Sequence, residues 1–347
     1  MDSIKNDSGK DLSLLTRAQF ISLGGLSIAG MLLFPLTSFT KNNTMKKHKN
    51  FDAIIIGGSY AGLSAAMSLG RSLRNVLIID SGLPCNKQTP HSHNFITQDG
   101  EKPGDITAKG KAQVLNYATV IFHEGFVVSG KKAKNGFEVI TDKEERFTAK
   151  KLVFATGIRD IMPSIKGFAE CWGISVIHCP YCHGYEVRNF KTGLLANGER
   201  AYHLSSMINN LTDDLTILTN GKPDFSLDQI NTLDKHKISI IENEVVEIVH
   251  EKGYIKAVVF KDGSIRHFDA VYAVVLFEQH CEVPAVLGCE LTALGHIKVD
   301  GFYKTTVEGV YACGDNTAMM RSVANAVSAG NMTGAMVNKE LTDEYFL

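Results

Sequence analysis

Short runs of this chain are apolar without alternation, and each stops abruptly at a turn signal. Residues 51–56 read Phe-Asp-Ala-Ile-Ile-Ile and end at Gly57-Gly58-Ser59-Tyr60-Ala61-Gly62; after a small-residue stretch, residues 75–80 read Asn-Val-Leu-Ile-Ile-Asp. A continuous apolar run is what a strand buried on both faces of a parallel sheet requires, whereas a half-exposed strand would alternate. The pattern therefore predicts a strand, tight turn, helix and second strand, and it recurs. Residues 152–154 (Leu-Val-Phe) lead into Ala155-Thr156-Gly157, residues 192–196 into Asn197-Gly198, and residues 310–312 (Val-Tyr-Ala) into Cys313-Gly314-Asp315 and a helical run from Ser322. Strands alternating with helices predict an α/β, doubly wound fold.

The first of these units also carries a chemical pattern. Glycines at a strand-to-helix turn let the helix N-terminus approach a pyrophosphate, and Asp80 stands where a carboxylate can accept hydrogen bonds from ribose hydroxyls. Ser59 occupies the middle glycine position of G-x-G-x-x-G, while Gly57 and Gly62 keep theirs. A dinucleotide site is expected. The Gly314-Asp315 pair after a strand can place a carboxylate on the ribityl hydroxyls of a flavin, with the following helix N-terminus aimed at the ring.

Composition narrows the partners. The chain has 347 residues, 44% of them hydrophobic and 21% charged, so about two globular domains are expected rather than disorder. A net charge of −1 and the lack of a basic, aromatic-interleaved run argue against nucleic acid. Seven cysteines, an odd number, do not resemble a secreted disulfide framework, and a reducing, cytoplasmic setting is expected. The leader competes with that expectation. Residues 21–39 are mostly apolar and uncharged. Three readings stand side by side: a membrane anchor, an export signal, or an upstream extension of a product that starts at Met45. Membrane association follows only if the apolar segment is real.

The densest chemistry lies at residues 178–186, His-Cys-Pro-Tyr-Cys-His-Gly-Tyr-Glu. Two thiols at Cys-x-x-Cys spacing can close a disulfide on one turn, and adjacent imidazoles can accept their protons. The rival is a zinc half-site, but zinc wants four ligands, and Cys85, Cys171, Cys281, Cys289 and Cys313 stand singly. No metal site is expected, and a redox pair is favoured. The lone cysteines read as packing residues; His178 and His296 are possible helpers of the pair.

With the GGSYAG, ATG and GD segments in order and an internal CxxC, the chain resembles the low-molecular-weight thioredoxin reductase family of FAD-dependent disulfide oxidoreductases. The resemblance covers roughly residues 51–340. It implies two Rossmann-like domains, the FAD domain being split by an inserted NAD(P)-type domain that carries the CxxC. The expected boundaries are a leader at 1–49, FAD parts at 50–165 and 280–347, and the insert at 166–279. It implies an FAD site made by Gly57, Gly58, Ser59, Ala61, Gly62, Asp80, Asn94, Ala155, Thr156, Gly157, Gly314, Asp315, Ser322 and Val323, and catalysis by Cys179, Cys182 and His183. A homodimer is implied as well. Where the family usually has glutamine, this chain has Ser322.

Two departures redirect the chemistry. The second nucleotide turn reads Ala196-Asn197-Gly198-Glu199, with a Cβ where backbone must turn and an acid near the pyrophosphate position. The strand after it ends at Thr219-Asn220-Gly221, lacking both an acid for NAD ribose and arginines for an NADP phosphate. NADPH binding is therefore doubtful. His183 stands where thioredoxin reductases have aspartate, and the CPYCHGYE form is similar to the gliotoxin and holomycin dithiol oxidase subgroup. That resemblance implies oxidation of a small or peptide dithiol, with electrons passing to FAD and then to oxygen or another acceptor. The alternatives are an NADPH-dependent disulfide reductase and a non-catalytic flavin redox sensor.

Overall fold

A computed structural model of the chain describes residues 50–347; the three readings of the leader lie outside the described residues. The chain begins with β1 (Asn50–Ile56), α1 (Tyr60–Arg71), β2 (Val76–Asp80), α2 (Pro103–Val114), β3 (Val120–Glu124), β4 (Val127–Ala133), β5 (Gly136–Thr141), β6 (Arg146–Phe154) and β7 (Ile158–Ile161). A second group follows: α3 (Phe168–Cys171), β8 (Val176–Ile177), α4 (Pro180–His183), β9 (Thr192–Leu195), α5 (Gly198–Asn209), β10 (Leu215–Leu218), α6 (Leu227–Lys235), β11 (Ser239–Ile241), β12 (Val245–Glu251), β13 (Tyr254–Phe260), β14 (Ile265–Arg266) and β15 (Ala270–Ala273). The last stretch holds β16 (Leu276–Gln279), α7 (Val283–Val286), β17 (Val310–Ala312) and α8 (Val323–Phe346).

Two sheets organise these elements. The first has the order β3-β2-β1-β6-β5-β4, with β17 pairing β6 beyond the point where β5 leaves it. Its β1, β2, β3, β6 and β17 are parallel neighbours, so a strand whose Val310 pairs with Leu152, 158 residues earlier, completes the sheet that the N-terminal strands begin. The second sheet, β11-β10-β9-β15-β8, is parallel throughout. Strands β12, β13 and β14 form a small antiparallel sheet. The chain leaves the first sheet along β7 and returns along β16, and these two pair antiparallel as a ribbon, Arg159 opposite Glu278. The fold is thus α/β with two Rossmann-like units, one interrupted by the other.

The unbroken apolar run of β1 is explained by burial on both faces. Ala53 and Ile55 pack against α1 and α8 with Leu63, Leu69, Val337 and Leu341, while Ile54 and Ile56 pack with Leu77, Ile79 and Phe154 on the other side. Each isoleucine so buried contributes roughly 1.5–3 kcal/mol. Helices α1 and α8 approach closely because small residues line their contact: a Cβ on Gly330 would fall 2.0 Å from the Ala61 carbonyl oxygen. Among the described residues, no helix is long and apolar enough to cross a membrane.

Candidate active site

At the C-terminal end of β1 the chain turns through Gly57, whose φ of +104° only glycine adopts without strain, and whose Cβ, if present, would lie 2.2 Å from the Ala155 carbonyl oxygen. The close approach brings the turn before α1 against the Ala155-Thr156-Gly157 turn after β6. Gly62 is tighter still, with a Cβ position 1.8 Å from the Gly57 oxygen; it packs the helix under the turn rather than facing the cleft. Asn316, fully buried, donates from Nδ2 to the Phe154 oxygen (2.8 Å) and to Thr156 Oγ1 (3.3 Å), which ties the Gly314-Asp315 turn to the same place.

The three turns enclose one elongated cleft in two continuous parts. One part, about 370 Å³, is lined by Gly57, Gly58, Ser59, Asp80, Ala155 and Thr156. Asp80 accepts hydrogen bonds there from the backbone N–H groups of Gly58 (2.7 Å) and Gly82 (3.1 Å). The other part, about 170 Å³, is lined by Ser59, Ala61, Ala155, Thr156, Gly157, Gly314, Asp315, Ser322 and Val323, and by Cys182, His183, His178 and His93. Ser59, Ala155 and Thr156 belong to both parts. The cradle fits a dinucleotide: a glycine turn that a Cβ would fill, the first turn of α1 with its free N–H groups, and a carboxylate at either end. Buried His178 Nε2, on a cleft-lining residue, makes no hydrogen bond within the chain, which suits a polar ligand, and Arg321 Nε has only the Asp315 carboxylate at 3.8 Å.

One site residue stands elsewhere. Asn94 is exposed, held in a left-handed turn (φ +59°) where its N–H donates to Asp99 Oδ1, and the ring of the neighbouring His93 lines the cleft instead. His296 is buried against Phe277, a core histidine away from the cleft lining.

The CxxC forms a single helical turn, α4, with Cys179 at its N-cap in extended conformation. The two sulfurs lie 2.7 Å apart, both as free thiols. Cys182 faces the cleft, and its Sγ donates toward the Arg321 carbonyl oxygen at 3.7 Å. The thiols are strongly differentiated. The Cys182 S–H bond, then the backbone N–H groups at the start of α4 and the charge of Arg321, hold Cys179 down at about 7 against a desolvation cost. Cys182 is driven up by the same bond and by burial. His183 is held below its ordinary value by burial first and by His93 second, with Glu186 opposing; it is therefore a neutral proton acceptor near neutral pH. His178 is pushed down to about 4, mainly by burial.

Sequence reasoning missed the ion pair beneath the thiols. Arg321 donates from Nη1 and Nη2 to the two oxygens of Asp160 (2.8 and 3.0 Å), a bidentate pair, and Asp160 also accepts from Trp172 Nε1 at 3.1 Å. Desolvation works against the guanidinium charge, but Asp160 outweighs it and raises Arg321 above its ordinary value. Trp172 stands between Phe168 and His178, with ring centroids 5.7 and 5.8 Å away. A ribbon strand, the segment before α8 and the segment before the CxxC thus meet at one carboxylate. Asp315 is raised to about 6 by burial first, with Arg321 opposing. Cys85 also lines the cleft; its Sγ is 4.0 Å from Asp315 Oδ2, and desolvation, then that charge, push it up to about 11. Asp160 and Arg321 are 161 residues apart, and their one signal was two charges inside otherwise apolar or small-residue motifs.

The second glycine turn is built differently. Asn197 caps α5 with its own side chain: Oδ1 accepts from the N–H groups of Gly198 (2.8 Å) and Asp224 (2.9 Å), and Nδ2 donates to the Lys222 oxygen (2.9 Å). Glu199 lies in the first turn of α5 and accepts from Gln229 Nε2 at 2.6 Å. The first N–H of the helix is thus taken by the chain itself, and the carboxylates of Glu199 and Asp224 lie beside it.

Two Rossmann-like units, a dinucleotide cradle and a CxxC turned into it define a thioredoxin reductase-like flavoprotein oxidoreductase that binds FAD. The chain belongs to the pyridine nucleotide-disulphide oxidoreductase family, whose model matches residues 51–330. It is 33% identical to thioredoxin reductase tcpT of Claviceps purpurea over 309 residues, 84% of this chain and 94% of that one. Among solved structures, an oxidoreductase from Agrobacterium tumefaciens is 37% identical with a TM-score of 0.79, covering 84% of this chain and 99% of its own. HlmI is 29% identical with a TM-score of 0.81, covering 86% and 95%.

Proposed function

We propose that the protein oxidises a dithiol to its disulfide through Cys179 and Cys182, with the electrons leaving to FAD and then to oxygen or another acceptor. The observation that carries this reading is the contrast between the open first glycine turn and the second, where the Asn197 side chain takes the first helix N–H and the carboxylates of Glu199 and Asp224 lie where a pyrophosphate would need positive surroundings. Electrons must then enter at the thiols.

In the oxidised pair, a substrate thiol gives its proton to His183 and attacks Cys179 Sγ, breaking the Cys179–Cys182 bond and forming a mixed disulfide. Cys182 leaves and takes a proton, which its raised affinity favours. The second substrate thiol attacks the sulfur it shares with Cys179. Cys179 departs readily because its thiolate is stabilised near pH 7. Gly57, Gly58, Ser59, Ala61 and Asp80 would hold the diphosphate and adenosine ribose, and Asp315, Ser322 and Val323 the flavin half. When bound, FAD supplies the two-electron acceptor that returns the dithiol to a disulfide.

Relatives named thioredoxin reductase favour a second reading, an NADPH-dependent disulfide reductase. Anaerobic titration of the holoprotein separates the two. Bleaching of the flavin band by dithiothreitol, about 100-fold faster than by NADPH and abolished in Cys182→Ser, supports dithiol oxidation; rapid bleaching by NADPH refutes it.

A further inference from the structure

Each dithiol that becomes a disulfide gives two electrons to the Cys179–Cys182 pair and releases two protons: one S–S bond breaks, one forms, Cys182 ends as a thiol, and Cys179 leaves as a thiolate that exchanges its proton with the cleft. The protons start on substrate sulfur and pass through His183, which is partly buried in the cleft wall. A buried base exchanges its proton with water only through a polar neighbour or an opening.

His93 provides such a neighbour, from a different part of the chain. It lies on the loop between β2 and α2, lines the same cleft as His183, and faces Glu186 of the CxxC segment. Its Nδ1 is 3.6 Å from Glu186 Oε1, three residues beyond His183, and 3.7 Å from Asp99 Oδ1. The side chains become progressively wetter outward, from 21% exposed at His93 to 39% at Glu186 and 67% at Asp99. His91, with its ring centroid 6.5 Å from that of His93, has Nδ1 bound to the Gly100 oxygen and points its interaction away.

We infer that His93, flanked by Glu186 and Asp99, carries protons between His183 and bulk water during dithiol oxidation. The proton enters on His183 from the attacking thiol, crosses to His93, and leaves at the water-exposed carboxylates; the same path returns a proton to the departing sulfur. Because Glu186 belongs to the CxxC segment and His93 to the loop after β2, the path is complete only while the CxxC is seated in the cleft.

The inference rests on the dithiol-oxidation reading, and its test separates the two. The FAD-loaded protein and its His93→Ala and Glu186→Gln variants are mixed anaerobically with dithiothreitol, and flavin bleaching is followed. Loss of a general acid–base partner costs roughly 10²–10⁴-fold, and a secondary carrier toward the bottom of that range, so His93→Ala is expected to bleach about 10- to 100-fold more slowly. Added imidazole is expected to restore most of that rate, which a merely structural residue would not permit. Alkylation of reduced Cys179 by iodoacetamide, read by mass spectrometry, is expected to keep the wild-type rate in His93→Ala, because the thiol itself is untouched. If His93→Ala bleaches at the wild-type rate, or slows without imidazole rescue, the carrier role is overturned and dithiol oxidation stands. If the wild-type protein is not bleached by dithiothreitol at all, dithiol oxidation and the carrier role fall together.

Discussion

The two strand-turn-helix units that open the two sheets, Ile56-Gly57-Gly58-Ser59 before α1 and Leu195-Ala196-Asn197-Gly198 before α5, follow one backbone plan and reach opposite ends. In the first, glycines let the Ala155 turn approach and leave the helix N-terminus facing a cleft. In the second, an asparagine side chain takes the first helix N–H and draws the residue 222–224 loop across the helix end. Under the proposed function, the second unit keeps the shape of a Rossmann-like unit without the nucleotide. What remains useful in the second unit is where it holds the CxxC.

Adding a methyl group to each turn gives the largest expected contrast. Gly57→Ala combines a left-handed φ with a 2.2 Å overlap on backbone, and should cost about 3 kcal/mol or more and strip most of the FAD. Gly198→Ala, also left-handed (φ +61°) but with its nearest neighbour at 3.4 Å, should cost about 1 kcal/mol and leave the flavin in place. Flavin-to-protein absorbance and thermal melting read both. Equal flavin loss in the two variants would erase the distinction. Opening the second turn is the next test: Asn197→Gly with Glu199→Ala frees the helix N-terminus and removes a carboxylate, and NADPH-driven bleaching should rise about tenfold, the scale of one helix-end interaction with charge. An unchanged rate would place the obstacle in the missing ribose contacts instead.

Part of this contrast is written in the sequence itself. Strand runs, the first glycine turn, Asp315 at the cleft and the CxxC facing it all follow from period, turn chemistry and motif order, because buried parallel strands and glycine turns leave little choice of residue. The poverty of the second turn was also legible, although for Ala196 and Glu199 rather than for Asn197, whose side-chain capping became visible only with the loop it ties. Asp160, Trp172 and Arg321 were out of reach, since their meeting depends on how the ribbon and the α8 lead-in pack together. Asn94, which the resemblance implies near the flavin, is exposed in a left-handed turn, and it is the neighbouring His93 that lines the cleft.

The reactivity of the pair offers a smaller effect with a definite sign. Cys179 falls from the ordinary 9.0 to about 7, so its thiolate is favoured in the folded, reduced protein. A depressed value adds stability above the unfolded pKa and loses it as pH falls through the folded one; the reduced protein should therefore gain stability between about pH 7 and 9. Iodoacetamide should modify Cys179 with a midpoint near pH 7, and Cys182 far more slowly. A midpoint near 9 would mean that the α4 N–H groups and Cys182 do not stabilise the thiolate.

A last comparison concerns what joins the two units at the cleft. Trp172→Phe removes the Nε1–H bond to Asp160 but keeps most of the ring stacked between Phe168 and His178. Asp160 retains both bonds from Arg321, so no buried charge is left unpaired, and the loss should be that of one charge-assisted hydrogen bond, about 1.5 kcal/mol or a little more. Asp160→Asn instead removes the charge that both Nη groups meet, leaving Arg321 only the Asp315 carboxylate 3.8 Å from Nε, and should cost about 3 kcal/mol. If melting temperatures of the two variants fall by the same amount, the ion pair contributes nothing beyond the tryptophan link, and the seat of Cys182 against the Arg321 carbonyl must be held by packing alone.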